Sequence, residues 1–183
     1  VFATDYANTG TYSIGTVSLP GTTLTNTGSL TTTTAVTGAG SLVQGTGGVL
    51  TITSATLGDI ANFDFSTNDN TVNYAGSVAQ TITDTTYRTL AINNSNAAGA
   101  ALASSNVSVG VLEIGGTSSS ALFDAGAYTF ASAGTLNLLQ GTYKFQTAAF
   151  ADFDTINISA GSTVEYGGEQ TVTYGQLLDE ARA

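Results

Sequence analysis

Short period-two runs, closed off by small-residue turns, restrict the folds open to this chain more than any other feature. TVNY (residues 71–74), TLNLL (135–139), TYKF (142–145) and TINIS (155–159) alternate polar and apolar positions and favour β-branched or aromatic residues, which is the pattern of strands. These runs are only three to five residues long. Between them lie turns such as 27–29, 37–41, 45–48, 115–118 and 160–162, where small residues close tight corners and Gly supplies positive φ. Pro20 is the single proline of the chain, so almost every backbone N–H is free to join a ladder. Many short strands at short spacing predict an all-β solenoid. With roughly 20 residues to a coil and ~4.8 Å between coils, the chain predicts a rod on the order of 40 Å long.

The pattern occurs twice. Residues 48–65 (GVLTITSATLGDIANFDF) match 141–158 (GTYKFQTAAFADFDTINI) at an offset of about 93. Leu50 aligns with Tyr143, Ile52 with Phe145, Leu57 with Phe150, Asp59 with Asp152 and Phe65 with Ile158. Downstream, Tyr74 aligns with Tyr166 and Gln80 with Gln170. Residues 1–90 and 91–183 are therefore read as two tandem units of one continuous solenoid. Asp59 and Asp152, the two tyrosines and the two glutamines are repeat-equivalent structural positions in that reading. Two immunoglobulin-like sandwiches are the alternative, since a unit of ~90–100 residues is also their size. Strands this short, with no core Trp and no linker, favour the solenoid. The tail 176–183 (QLLDEARA) has helix-forming residues, yet its counterpart in the first unit reads as strand. A strand in a longer array is the expectation.

Composition narrows the function. Only 9% of residues are charged, against about 25% in ordinary domains, while 42% are hydrophobic. An ordered fold with a hydroxyl- and amide-bearing surface follows. Thirteen acidic residues face three basic ones, Arg88, Lys144 and Arg182. Nucleic acid is thus not an expected partner, because phosphate binding needs a basic patch, and anionic membrane surfaces are disfavoured on the same ground. No stretch approaches 18 apolar residues, so membrane insertion within the segment is not expected. The chain starts at Val1 rather than Met, which reads as processing or excision from something longer.

TVxYxGxxxQTI, followed by a YxxL strand and an Asn-Asn-Ser turn, occupies residues 71–95 and in shorter form 163–178. This arrangement resembles the repeats of large bacterial adhesins and filamentous-haemagglutinin-like surface proteins. The resemblance implies a right-handed parallel β-helix, secretion to the cell surface, and a role in adhesion, stalk-building or fibre formation. Its partners would be further copies of itself, by tandem repetition or end-to-end stacking, and cell-surface glycans. The second unit departs from the pattern after Thr173.

Chemistry finds little purchase. Without His or Cys, the usual general base, thiol nucleophile and soft-metal constellations are missing. The carboxylate groupings Asp59 with Asp64, Asp152 with Asp154 and Asp179 with Glu180 lack the aromatic-lined cleft of a glycosidase. No catalytic residue and no cofactor is expected, apart from calcium. Asp64, Asn68, Asp69 and Asn70 place four oxygen-bearing side chains in seven residues; Asn/Asp clusters are usually turns, and a calcium loop is the alternative. The Thr tracts at 22–25 and 31–34 raise an ice-binding reading, but a threonine pair in the same place in every coil is not evident from them. Asn93, Asn106 and Asn157 lie in N-x-S sequons. The expected function is an extracellular structural or adhesive segment, with a glycan- or ice-binding module as the alternative.

Overall fold

The computed structural model describes residues 1–147 and 151–167. Among them every strand pairing is parallel, there is no helix, and the strands stack in about 8 turns of a β-solenoid. In chain order the strands are β1 (Tyr6–Asn8), β2 (Thr11–Ser18), β3 (Thr23–Asn26), β4 (Ser29–Gln44), β5 (Val49–Ile52), β6 (Gly58–Asp64), β7 (Thr71–Tyr74) and β8 (Gln80–Thr81). They continue as β9 (Thr86–Ile92), β10 (Ala100–Ala101), β11 (Ser108–Ile114), β12 (Leu122–Asp124), β13 (Ser132–Leu138), β14 (Gly141–Phe145), β15 (Thr155–Ile158) and β16 (Ser162–Tyr166). One sheet runs β1-β3-β4-β5-β7-β9-β11-β13-β15, with β2 and β6 also on β4; the second runs β16-β14-β12-β10-β8. Sandwich sheets are antiparallel, so the all-parallel ladder removes that alternative.

Period-two alternation builds the core directly. Leu30, Leu50, Val72, Leu90, Leu112 and Leu136 stand in register above one another, each at most 1% exposed. Two residues on, Thr32, Ile52, Tyr74, Ile92, Ile114 and Leu138 form a second buried column. Burying each aliphatic side chain contributes about 1.5–3 kcal/mol, so the columns are the main source of stability. Thr32 is the exception, a buried hydroxyl without a hydrogen-bond partner.

β4 is far longer than the runs read from sequence because it turns corners without leaving the ladder. Its inside-outside alternation breaks at Thr33-Thr34 and again at Gly38-Ala39, where neighbouring residues both face solvent or both lose the phase. Three flat segments result, 29–32, 35–37 and 41–44, and they pair with different neighbours.

Coil length varies along the stack. Tyr6 pairs with Leu24 and Val72 with Leu90, each 18 residues on, Thr135 with Thr155, 20 on, and Ser108 with Ser132, 24 on. Aromatic rings pack inside it: Phe65 on Tyr87 at 5.7 Å, and Phe123 on Phe130 at 5.6 Å and on Tyr143 at 5.1 Å.

Residues aligned by sequence do not occupy equivalent places. Leu50 and Tyr74 lie in the first sheet, Tyr143 and Tyr166 in the second. Following the register from Leu50 leads to Leu136 after four coils and Ile156 after five. Tyr143 falls between them, part of a turn away. The stack nonetheless passes without a break through the junction of residues 90 and 91, because β9 is bonded to β7 on one side and β11 on the other.

Candidate functional site

The TVxYxGxxxQTI motif and the Asn-Asn-Ser turn after it resolve into a buried corner lock. Gln80, 2% exposed, donates through Nε2 to the carbonyls of Ile52 (2.9 Å) and Ser54 (2.7 Å). Its Oε1 accepts from the Gly76 N–H (2.9 Å) and from Asn94 Nδ2 (2.6 Å). Asn94 is fully buried, and its Oδ1 accepts the N–H of Asn96. A side chain at Gly76 would collide with the Thr53 carbonyl and the Gln80 amide. Three motif positions, Gly76, Gln80 and Asn94, thus satisfy one another, which is what burial of polar groups demands.

Tyr74 belongs to an adjoining network. Its hydroxyl lies 3.2 Å from that of Tyr87 and accepts the Thr83 N–H at 3.0 Å, while Tyr87 donates to the Thr83 carbonyl at 2.8 Å. Burial pushes both phenols above their usual pKa; for Tyr87 the neighbouring Tyr74 adds to it. Tyr166, its sequence counterpart, is half-buried in β16 and packs on Phe145. Asp59 is exposed in β6, and Asp152 is exposed outside any strand. Gln170 lies outside the described residues, as do Asp179, Glu180 and the 176–183 tail.

In the acidic loop each side chain has a local task. Asp64 Oδ1 accepts the N–H groups of Ser66 (3.2 Å) and Thr67 (3.1 Å). Partial burial raises the Asp64 pKa, but the hydrogen bonds from Thr67 and Ser66 outweigh it and hold the carboxyl below its usual value. Asn68 donates to the Gln44 carbonyl at 3.2 Å, and Asp69 pairs with Arg88 at 2.8 Å on the surface. Asn70 is buried and donates to the Asn68 carbonyl at 2.7 Å; its Oδ1 has no partner. These are the bonds of a turn. Among the described residues no three His, Cys, Asp or Glu side chains come together as a metal group.

A third polar feature was not legible beforehand. Asn8 donates to Asn26 Oδ1 at 2.7 Å, and Asn26 donates to Gln44 Oε1 at 2.8 Å, all three buried. This inward amide ladder begins at the N-terminal end of the stack, beside a recess of about 130 Å³ lined by Phe2, Tyr6, Tyr12 and Leu24. Among the described residues β1 and β2 each pair with strands on one side only.

The broadest uniform surface is the outer face of the wall that begins each coil. Its successive segments read TYS (11–13), SLT (29–31), VLT (49–51), TVN (71–73), TLA (89–91), VLE (111–113), TLN (135–137) and TIN (155–157). In the six triplets between residues 29 and 137 the middle residue is buried and the flanking two are part-exposed, save the buried Ala91; in the end triplets Tyr12 is exposed and Ile156 half-buried. The register holds these segments above one another from coil to coil. Both register shifts lie beyond the segments, between Ile14 and Thr16 and between Gly38 and Ser41. Two outward ranks of Thr, Ser and Asn result, interrupted by Val49, Val111, Ala91 and Glu113. Neither 22–25 nor 33–34 belongs to these ranks: 23–25 are in β3, and Thr33-Thr34 mark a corner. Asn157 donates to Asn137 at 2.9 Å within one rank.

Comparison with protein-family models, with curated proteins and with solved structures finds no match.

Proposed function

We propose that this chain is a non-enzymatic structural and adhesive segment of a bacterial surface protein, a rigid extracellular stalk module that continues by further coils or by end-to-end stacking. The observation that carries this reading is the unbroken ladder through β7, β9 and β11, which joins the two sequence units into one core. A stalk needs that continuity, since each coil is supported only by its neighbours. The motif residues Gly76, Gln80 and Asn94 support the reading as well, being engaged with one another inside the wall rather than offered to a ligand.

The test is electron microscopy of the chain at rising concentration, with and without a calcium chelator. Rods of ~40 Å that lengthen in multiples of that unit, with an axial repeat of ~4.8 Å, are expected. Dispersed particles of a single length at every concentration overturn end-to-end stacking. Collapse of the rods on chelation would bring calcium into the structural role of the 64–70 loop; rods unchanged by chelator assign that loop to turn formation alone.

A further inference from the structure

We infer that the outer face of the first wall is an ice-binding surface, on which two ranks of hydroxyl and amide groups hold ordered water in the spacing of a crystal face. The inference is independent of the stalk reading.

Charge is the first argument. The chain carries a formal net charge of −10, yet of the sixteen outward positions in the eight triplets only Glu113 is ionisable. A surface for a charged partner would carry a cluster of charge, and one carboxylate with no cation, the chain's own proportion of acidic residues, does not make one. A charge cluster lies elsewhere: Asp124, Lys144 and Glu165 stack in the second sheet, with the ammonium 3.9 and 3.7 Å from the two carboxylates.

Regularity is the second. Adjacent coils place equivalent side chains ~4.8 Å apart, and the two outward residues of a triplet stand ~6.7 Å apart along the strand. Eight coils give an array about 34 Å long. Thr is stiff at χ1, and in the six triplets between residues 29 and 137 the flanking pair brackets a buried residue such as Leu50, Val72 or Leu112. The hydroxyls and methyls are therefore fixed before any ligand arrives, which lowers the entropy cost of binding. A two-dimensional array of fixed donors and acceptors matches a partner with the same long-range order. Liquid water lacks that order; ice has it.

Ligand chemistry is the third. Sugar sites rely on a few convergent polar groups in a concave, aromatic-lined setting. None of the sixteen flanking residues is aromatic, and the wall is a continuous parallel ladder with no register shift inside the triplets. An extended crystalline lattice fits this face better than a glycan chain.

Ice-affinity partitioning and ice-recrystallisation inhibition, measured on the full chain, test the inference. The wild-type chain is expected to enter growing ice in preference to a fold-matched control. Thr89→Lys and Thr135→Lys, each planting a strongly hydrated charge in a rank, are expected to lower partitioning about tenfold, the scale of losing a central contact. Thr142→Lys, on the second sheet, should leave it unchanged. Glu113→Thr removes the one charge and should raise partitioning. Circular-dichroism melts confirm that each variant folds, and the Glu113→Thr gain reads the face even where a lysine variant does not. Exclusion of the wild type from ice, equal losses at Thr89 and Thr142, or retention on insoluble polysaccharide in place of ice would overturn the inference.

Discussion

Tyr74 and Tyr87 meet hydroxyl to hydroxyl inside the core, and this has a consequence at high pH. Tyrosine in an unfolded chain ionises near pH 10, whereas burial raises both of these groups in the fold. The folded-state pKa values lie above the unfolded one, so their contribution to stability is complete below about pH 10 and is lost as pH rises toward the folded values. Each group sets a slope of up to about 1.4 kcal/mol per pH unit in that window. Thermal melts between pH 9 and 12 should show this loss, and Tyr87→Phe should reduce its slope. The amide ladder gives a second expectation. Asn26→Ala leaves the Asn8 donor and the Gln44 acceptor without their partner, at a cost of about 1–3 kcal/mol for each buried group so exposed; denaturant titration reads it. At this scale the sequence was half legible. Tyr74, Gln80, Tyr87 and Asn94 all stood in the motif, but the bonds that join Tyr74 to Tyr87 and Gln80 to Asn94 span 13 and 14 residues, across corners that no periodicity describes. Asn8, Asn26 and Gln44 were hidden because an inward amide in a period-two run looks like an outward one.

Strands and corners are where alternation speaks most clearly. TVNY, TYKF, TLNL and TINI are strands in both the reading and the fold. β8 and β10, at two residues each, are too short to show a period. β4 defeated the expectation of three-to-five-residue runs because it bends through its corners while keeping its ladder bonds. The candidate ice face escaped notice for a related reason. Its triplets look like ordinary half-buried strands, and only the register reveals that their outward residues form ranks. The 92–93-residue offset misplaced Tyr166 against Tyr74 because coil length varies from 18 to 24 residues, so a fixed offset drifts around the coil. Gly58, which opens β6, shows how strictly the corners are built. Its φ is +115°, and a Cβ there would strike the Val36 backbone. Gly58→Ala should destabilise the chain by at least about 1–3 kcal/mol, seen as a lower melting temperature with the strand content of the remaining coils retained.

Across the whole molecule, stability is a sum of coil-to-coil contacts with no element touching everything else. Leu112 stands between Leu90 and Leu136 in the first buried column and is fully buried. Replacing it with Asp places a charge among Leu90, Leu136 and their neighbours, where it has no partner. Calorimetry should then resolve two transitions, one for the coils on either side, in place of one.

The arrangement that stacks strands crosswise to the long axis also decides how the molecule answers a pull. Tension between its ends loads the terminal coil first, since each coil is bonded only to the next. A coil of 18–24 residues that rises ~4.8 Å in the stack stores roughly 60–85 Å of contour once extended. Coils peeled one at a time would lengthen the molecule by more than ten times their stacked height, dissipating work at every step. The stack is thus a reserve of length, stiff until the load exceeds one coil's grip and extensible beyond it.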